Sequence, residues 1–260
     1  MKIPRRRLVS IIGGSAGNLV EWYDWFAYAS FAIYFAPVFF PKADPTAQLL
    51  STATIFAAGF VMRPIGAWVM GRFADMRGRK AGLTLSVALM FSGSLLLALA
   101  PTYAQAGLLG PAVLLLARVL QGLSLGGEYG ASATYLSEMA PKANRGFWAS
   151  FQYMTLCGGQ LCAIAVAVTM QGFLSEAELT AWGWRVPFAI GALLALGVYL
   201  LRRNLAETPS FENQSFDRPA STAALLWREH RRESILVAML SAGGGLGAYT
   251  YTSYMQKYLF

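Results

Sequence analysis

The chain has 260 residues, 56% of them hydrophobic and 13% charged, where a soluble domain carries roughly a quarter charged residues. A water-soluble protein cannot cover that much apolar surface, so an integral membrane protein is expected. The formal net charge of +8 does not point to nucleic acid, because the cations collect in the polar segments between apolar runs, where the positive-inside rule puts them.

The N-terminal segment Met1-Lys2-Ile3-Pro4-Arg5-Arg6-Arg7 and the apolar run after it imitate an export signal. No small-residue cleavage site closes that run, and it continues through Glu21, Trp22, Tyr23 and Asp24, so a retained first span with a basic flank is expected. Seven spans follow from runs long enough to cross a bilayer. They are roughly Leu8–Pro37, Leu49–Met70, Ala81–Ala100, Pro111–Ser137, Phe147–Met170, Trp184–Leu201 and Ser234–Phe260.

Between spans 2 and 3 lies Gly71-Arg72-Phe73-Ala74-Asp75-Met76-Arg77-Gly78-Arg79-Lys80. This charged decapeptide reads as a tight hairpin. Glycine at both ends suits a turn or a close approach, and Asp75 and Arg79 are one helical turn apart. Spacing alone also allows a solvated basic loop that only sets topology.

The arginine and lysine tally orients the chain. The tail holds four, the loop around Asp75 four, the Pro141–Gly146 loop two and the segment from Arg202 to Arg232 six, sixteen of twenty-one in all. The alternate loops hold Lys42, no cation at all, and the acids Glu176 and Glu178. The N-terminus is therefore expected on the cytoplasmic side.

The segment from Arg202 to Arg232 is polar and contains Pro209 and Pro219. Residues 1–201 thus read as a six-helix bundle, 202–233 as a cytoplasmic linker and 234–260 as helix 7, the start of a second bundle. Such a layout belongs to transporters with two six-helix halves, each made of two inverted triplets. The first helices of the two triplets both carry an acid beside an aromatic, Glu21-Trp22-Tyr23-Asp24 and Glu128-Tyr129, a weak repeat signal. Seven spans do not make two equal halves, so a chain truncated from twelve helices is expected, or else a half-transporter that dimerises.

Charges within spans are costly and mark pathways. Five stand out: Glu21, Asp24, Arg63, Arg118 and Glu128. Glu21 lies about 20 Å along its helix from Leu8 and shares a face with Asp24. Gln121 and Glu128 are two turns apart on one face of span 4, with Arg118 close to it. The glycines of span 4 allow close backbone approach. Buried ion pairs that only lock helices together are the alternative reading of such charges. In the functional reading, a carboxylate in a low dielectric holds a proton more readily, and an arginine offers a carboxylate a two-pronged fork. Fixed cations with titratable acids suit the co-transport of an organic anion with protons.

Cys157 and Cys162 share one apolar run and are expected to be packing residues without a disulfide. The single histidine, His230, sits in a basic loop. No metal or other cofactor is expected. A membrane enzyme would need a nucleophile–base pair or metal ligands near an interface, where the sequence offers only His230. A channel is the alternative from another class.

The decapeptide Gly-x-Phe-Ala-Asp-x-x-Gly-Arg-Lys resembles the signature loop between helices 2 and 3 of the major facilitator superfamily. Three further stretches are similar to its metabolite–proton symporter family: Gly17-Asn18-Leu19-Val20-Glu21-Trp22-Tyr23-Asp24, the run from Arg118 to Gly130, and Arg202-Arg203-Asn204-Leu205-Ala206-Glu207-Thr208-Pro209. Phe151–Leu161, Met62–Gly66 and Tyr254–Leu259 point within it to carriers of α-ketoglutarate or a related dicarboxylate. Carriers of shikimate, citrate and proline/betaine share the general motifs.

The resemblance implies an all-α major facilitator fold in a bacterial inner membrane. It implies proton-coupled symport of a small organic anion by alternating access, without enzymatic chemistry. It also implies a partner in the missing C-terminal half, helices 8 to 12. The expected substrate-binding residues are Arg63, Arg118, Gln121 and Tyr23. Glu128, Asp24 and Glu21 are the candidate proton carriers, with Glu128 first. The expected gating residues are Gly71, Asp75, Gly78 and Arg79, with Gly71 permitting close packing.

Overall fold

A computed structural model describes residues 5–41, 44–140, 144–203, 205, 207–208, 211 and 227–250, with backbone alone at 5–12, 139 and 248–249. It divides into two units, Met1–Phe216 and Asp217–Phe260. The described residues are almost entirely helical. The first unit contains the long helices α1 (Arg5–Phe39), α2 (Pro45–Arg77), α3 (Arg79–Leu99), α4 (Leu109–Met139), α5 (Phe151–Phe173) and α6 (Arg185–Arg203). The second contains α7 (Arg231–Tyr249). Five of these helices, α2 to α6, are long and apolar enough to cross a membrane, that of α5 counted from Arg145. At about 1.5 Å per residue the 35 residues of α1 also exceed a bilayer core.

Local sequence sets the helix ends. Asp44 caps α2, its carboxylate accepting from the N–H groups of Thr46 and Ala47 at 3.0 and 3.1 Å, and Pro45 holds a position that needs no N–H donor. The short helices Tyr103–Ala106 and Glu176–Glu178 each begin in a capping box, from Thr102 to Gln105 and from Ser175 to Glu178. The π-helical turn Leu179–Gly183 leads into α6.

The expected hairpin at 71–80 is shorter than the sequence implies. Helix α2 continues to Arg77 and α3 begins at Arg79, so Gly78 alone makes the turn. Its φ of 102° lies where a side chain is strained. Helix α2 also runs on through Pro64, beside Arg63.

Helix α4 packs between α2 and α3, while α1 packs mainly on α5 and then on α4 and α6. Two apolar clusters close the ends of this bundle. At one end Phe31, Phe35 and Phe39, spaced one turn apart on α1, meet Leu97, Leu114, Trp184 and Phe188. At the other, Leu83, Tyr135, Leu136, Trp148 and Leu205 come together. Between them lie two smaller apolar clusters, Val20 with Val87, Ala195 and Val198, and Tyr23 with Ala27 and Ala163, together with buried polar residues. Helices α2 and α4 approach through glycines: a Cβ on Gly66 would lie 2.7 Å from the Leu123 Cα, and one on Gly122 would lie 2.9 Å from the Met62 Cβ.

Cys157 and Cys162 are exposed on α5 rather than packed, because they lie off the face of that helix that meets α1. The expected loop charge Lys42, most of the linker with Pro209 and Pro219, and the stretch Tyr254–Leu259 lie outside the described residues.

Candidate functional site

A polar ladder runs down the buried face of α4: Arg118, Gln121, Ser124, Glu128 and Ser132, spaced three or four residues apart. Each rung meets α1 in antiparallel register. Arg118 lies over the Tyr28 ring, with its guanidinium carbon 3.5 Å from the centroid. Gln121 donates to Asp24 Oδ2 at 2.9 Å, and Ser124 donates to Glu21 Oε1 at 2.5 Å. A Cβ on Gly17 would meet Glu128 Oε1 at 2.7 Å. Ser132 donates to the Gly14 carbonyl at 3.0 Å.

The top of the ladder brings two cations to one aromatic. Arg63 of α2 lies 4.0 Å from the Trp25 centroid and 4.3 Å from that of Phe60. Arg118 lies 5.1 Å from the same Trp25 ring. Such stacking suits a guanidinium, which is weakly hydrated and planar. Arg118 also donates through Nη1 to Gln121 Oε1 at 2.7 Å, so Gln121 links the cation to Asp24. Ser94 of α3 also donates to Asp24 Oδ2. The other oxygen of Asp24, and Nε and Nη2 of Arg118, are buried without a hydrogen-bond partner. That oxygen abuts Gly191 of α6, where a Cβ could not fit. Glu21 Oε2 is likewise without a partner. Buried polar atoms left unsatisfied are rare, and each calls for a physical explanation.

The middle of the ladder is filled differently. Glu128 pairs not with Arg118 of its own helix but with Arg202 of α6. The guanidinium grips both carboxylate oxygens, at 2.8 Å on Oε2 through Nη1 and through Nη2 on Oε1. Arg202 also donates to the carbonyls of Gly13, Gly14 and Leu83. Both side chains are 0% exposed. Arg202, expected among the linker cations, lies inside the bundle instead, because α6 extends past Leu201. It lies on the stripe of Phe188, Gly191, Ala195 and Val198, a 3.6-residue periodicity that would have placed it there.

Tyr23, expected at the substrate, is not brought to the arginines. Its hydroxyl donates to the Pro187 carbonyl at 2.9 Å, and its ring packs with Ala27 and Ala163. At the turn, Arg79 and Asp75 form the expected ion pair at 2.5 Å, both partly exposed. Glu207, which spacing did not single out, accepts from the Arg79 N–H at 3.0 Å and the Lys80 N–H at 3.2 Å. Gly78 lies against this carboxylate, whereas Gly71 has nothing within 4 Å of a Cβ among the described residues.

Membrane-length helices in this packing, with cations and acids inside them, define a multi-pass membrane protein of the major facilitator fold. Residues 9–255 match the family described as "Sugar (and other) transporter", and the chain belongs to that family. It is 53% identical over 255 residues to the alpha-ketoglutarate permease of Escherichia coli K12, covering 98% of this chain and 59% of that protein. It is 38% identical to the citrate-proton symporter of Salmonella typhi, covering 88% and 54%. The partially occluded inward-open xylose transporter XylE of E. coli has the same fold, with a TM-score of 0.72 at 22% identity, over 80% of this chain and 50% of that one. The chain thus spans a little over half the length of the curated relatives it matches.

Proposed function

We propose that the chain forms the N-terminal half of a proton-coupled symporter for a small organic anion, with α-ketoglutarate or a related dicarboxylate as cargo. The observation that carries this is that Arg63 and Arg118 both lie near the Trp25 ring, with Arg118 joined through Gln121 to the half-satisfied Asp24. Arg63, the more accessible cation, makes first contact with a carboxylate. Arg118 is 0% exposed and reaches the cargo only when Trp25 or Tyr28 moves aside. Gln121 couples that movement to Asp24.

Asp24 replaces Glu128 as the first choice for the proton. A proton carrier must gain and lose a partner within the cycle, and Asp24 has one oxygen free to do so. Glu128 is gripped on both oxygens by Arg202 and serves as a lock. Glu21, beside Ser124, is the second candidate. The pair Asp75–Arg79 with the single-residue turn at Gly78 is a latch between states. Transport requires no covalent chemistry, so no enzymatic step is assigned. The cation tally, without the buried Arg202, still supports an N-terminus in the cytoplasm. The bacterial relatives support an inner-membrane location, and the share of their length that the chain covers supports residues 1–201 with the start of the linker as one bundle and helix 7 as the beginning of a second.

The 53% identity to an alpha-ketoglutarate permease supports this cargo over the citrate reading. Uptake of labelled α-ketoglutarate by the full-length protein in vesicles tests it, with citrate, shikimate and betaine as competitors. Competition by unlabelled α-ketoglutarate alone is the expected result. Stronger competition by citrate would move the cargo, and no uptake of any of them would overturn the proposal.

A further inference from the structure

The outer surface of the bundle carries an open groove of about 470 Å³ between α3 and α6, beside the turn at Gly78. That volume falls within the range of small-molecule sites. Its wall is Ala81, Thr84, Leu85 and Ala88, which share one face of α3, with Tyr199 of α6 opposite. The small side chains of Ala81 and Ala88 leave the space. Arg77 and Lys80 stand at one end only. Neither forms an ion pair among the described residues. Glu207 also lines this end, but its carboxylate is turned to the N–H groups of Arg79 and Lys80. Two cations therefore face the groove against one acid already engaged.

We propose that this groove binds an anionic phospholipid, with the phosphate on Arg77 and Lys80 and an acyl chain along Ala81–Ala88. The polarity of the groove is graded along the membrane normal. From Lys80 to Ala88 is about 12 Å along α3, which takes the groove from the charged turn into the hydrocarbon layer. Both walls belong to membrane-length helices, so the open side faces lipid. A free anion would use the cations and leave the apolar wall empty, whereas a phospholipid uses both. The site depends on the membrane-spanning fold and not on the cargo assignment.

Native mass spectrometry of the full-length protein in detergent, titrated with phosphatidylglycerol and with phosphatidylcholine of the same chain length, tests the proposal. Each basic residue near an anionic headgroup contributes about a five-fold gain in affinity. Tighter binding of phosphatidylglycerol is expected, and R77Q/K80Q should weaken it by about 25-fold. A88W fills the apolar end, keeps both cations, and should also lower phosphatidylglycerol binding. R77K/K80R, which keeps the charge, should retain it. Equal binding of the two lipids, or wild-type binding by both R77Q/K80Q and A88W, would overturn the assignment. Full displacement of the lipid by millimolar inorganic phosphate would reduce the groove to a plain anion site and would overturn it as well.

Discussion

Arg63 and Arg202 are both arginines within helices, yet their surroundings give them opposite work. Arg63 lies on the rings of Trp25 and Phe60, and by our proposal its planar fork meets the cargo carboxylate. Arg63→Lys keeps the charge but loses the fork and the stacking. Uptake should fall at least about tenfold, the factor that about 1.4 kcal/mol represents, with an unchanged melting temperature. Near-normal uptake by that variant would remove Arg63 from the site. Arg202 is spent on Glu128 and three carbonyls. Arg202→Met leaves a buried carboxylate without its partner, and breaking such a pair costs about 3–5 kcal/mol. A clear drop in melting temperature is expected, larger than that of Glu128→Gln, which leaves Arg202 its carbonyl partners. Equal stability of Arg202→Met and wild type would show the pair to be dispensable.

At the scale of elements, the glycines between α2 and α4 set how far Arg63 stands from Arg118. Gly126 packs on the backbone of Arg63 and Ala67, so Gly126→Leu must push the helices apart. Such overpacking costs about 1–3 kcal/mol, and uptake should be lost even where folded protein is recovered. Wild-type affinity in Gly126→Leu would separate the two arginines from the helix contact. The turn at Gly78 makes a different prediction. Asp75 and Arg79 clamp its two sides, so, by the latch we propose, Asp75→Asn should change the balance between two states rather than the cargo site. Turnover should fall several-fold while the substrate dissociation constant stays within about twofold. A matched loss of both would place Asp75 in the binding site.

How much of this was legible in the sequence follows the same elements. Apolar run lengths located the six helices of the first unit and the start of α7, because a bilayer imposes length and composition together. The shared faces of Glu21 with Asp24 and of Gln121 with Glu128 were also legible, since helical spacing fixes them. Partners across helices were not. Nothing local pairs Ser94 with Asp24 or Arg202 with Glu128, because such pairs depend on register between helices far apart in sequence. Arg202 was hidden further by standing at the polar end of an apolar run, where a cation usually marks the interface.

For the whole molecule, the central claim is that cargo and proton move together through the ladder between α1 and α4, with Asp24 as the proton carrier. An imposed pH gradient should drive α-ketoglutarate uphill, and uptake should weaken as the outside pH rises and the supply of protons falls. The most direct measurement follows proton and labelled α-ketoglutarate fluxes together in vesicles holding the full-length protein, as wild type, Asp24→Asn and Glu128→Gln. The account predicts a fixed ratio of protons to cargo in wild type. Asp24→Asn should keep counterflow exchange and lose uphill uptake, and folded Glu128→Gln should keep both. Uphill accumulation by Asp24→Asn, or a wild-type proton flux that bears no fixed ratio to the cargo, would contradict it.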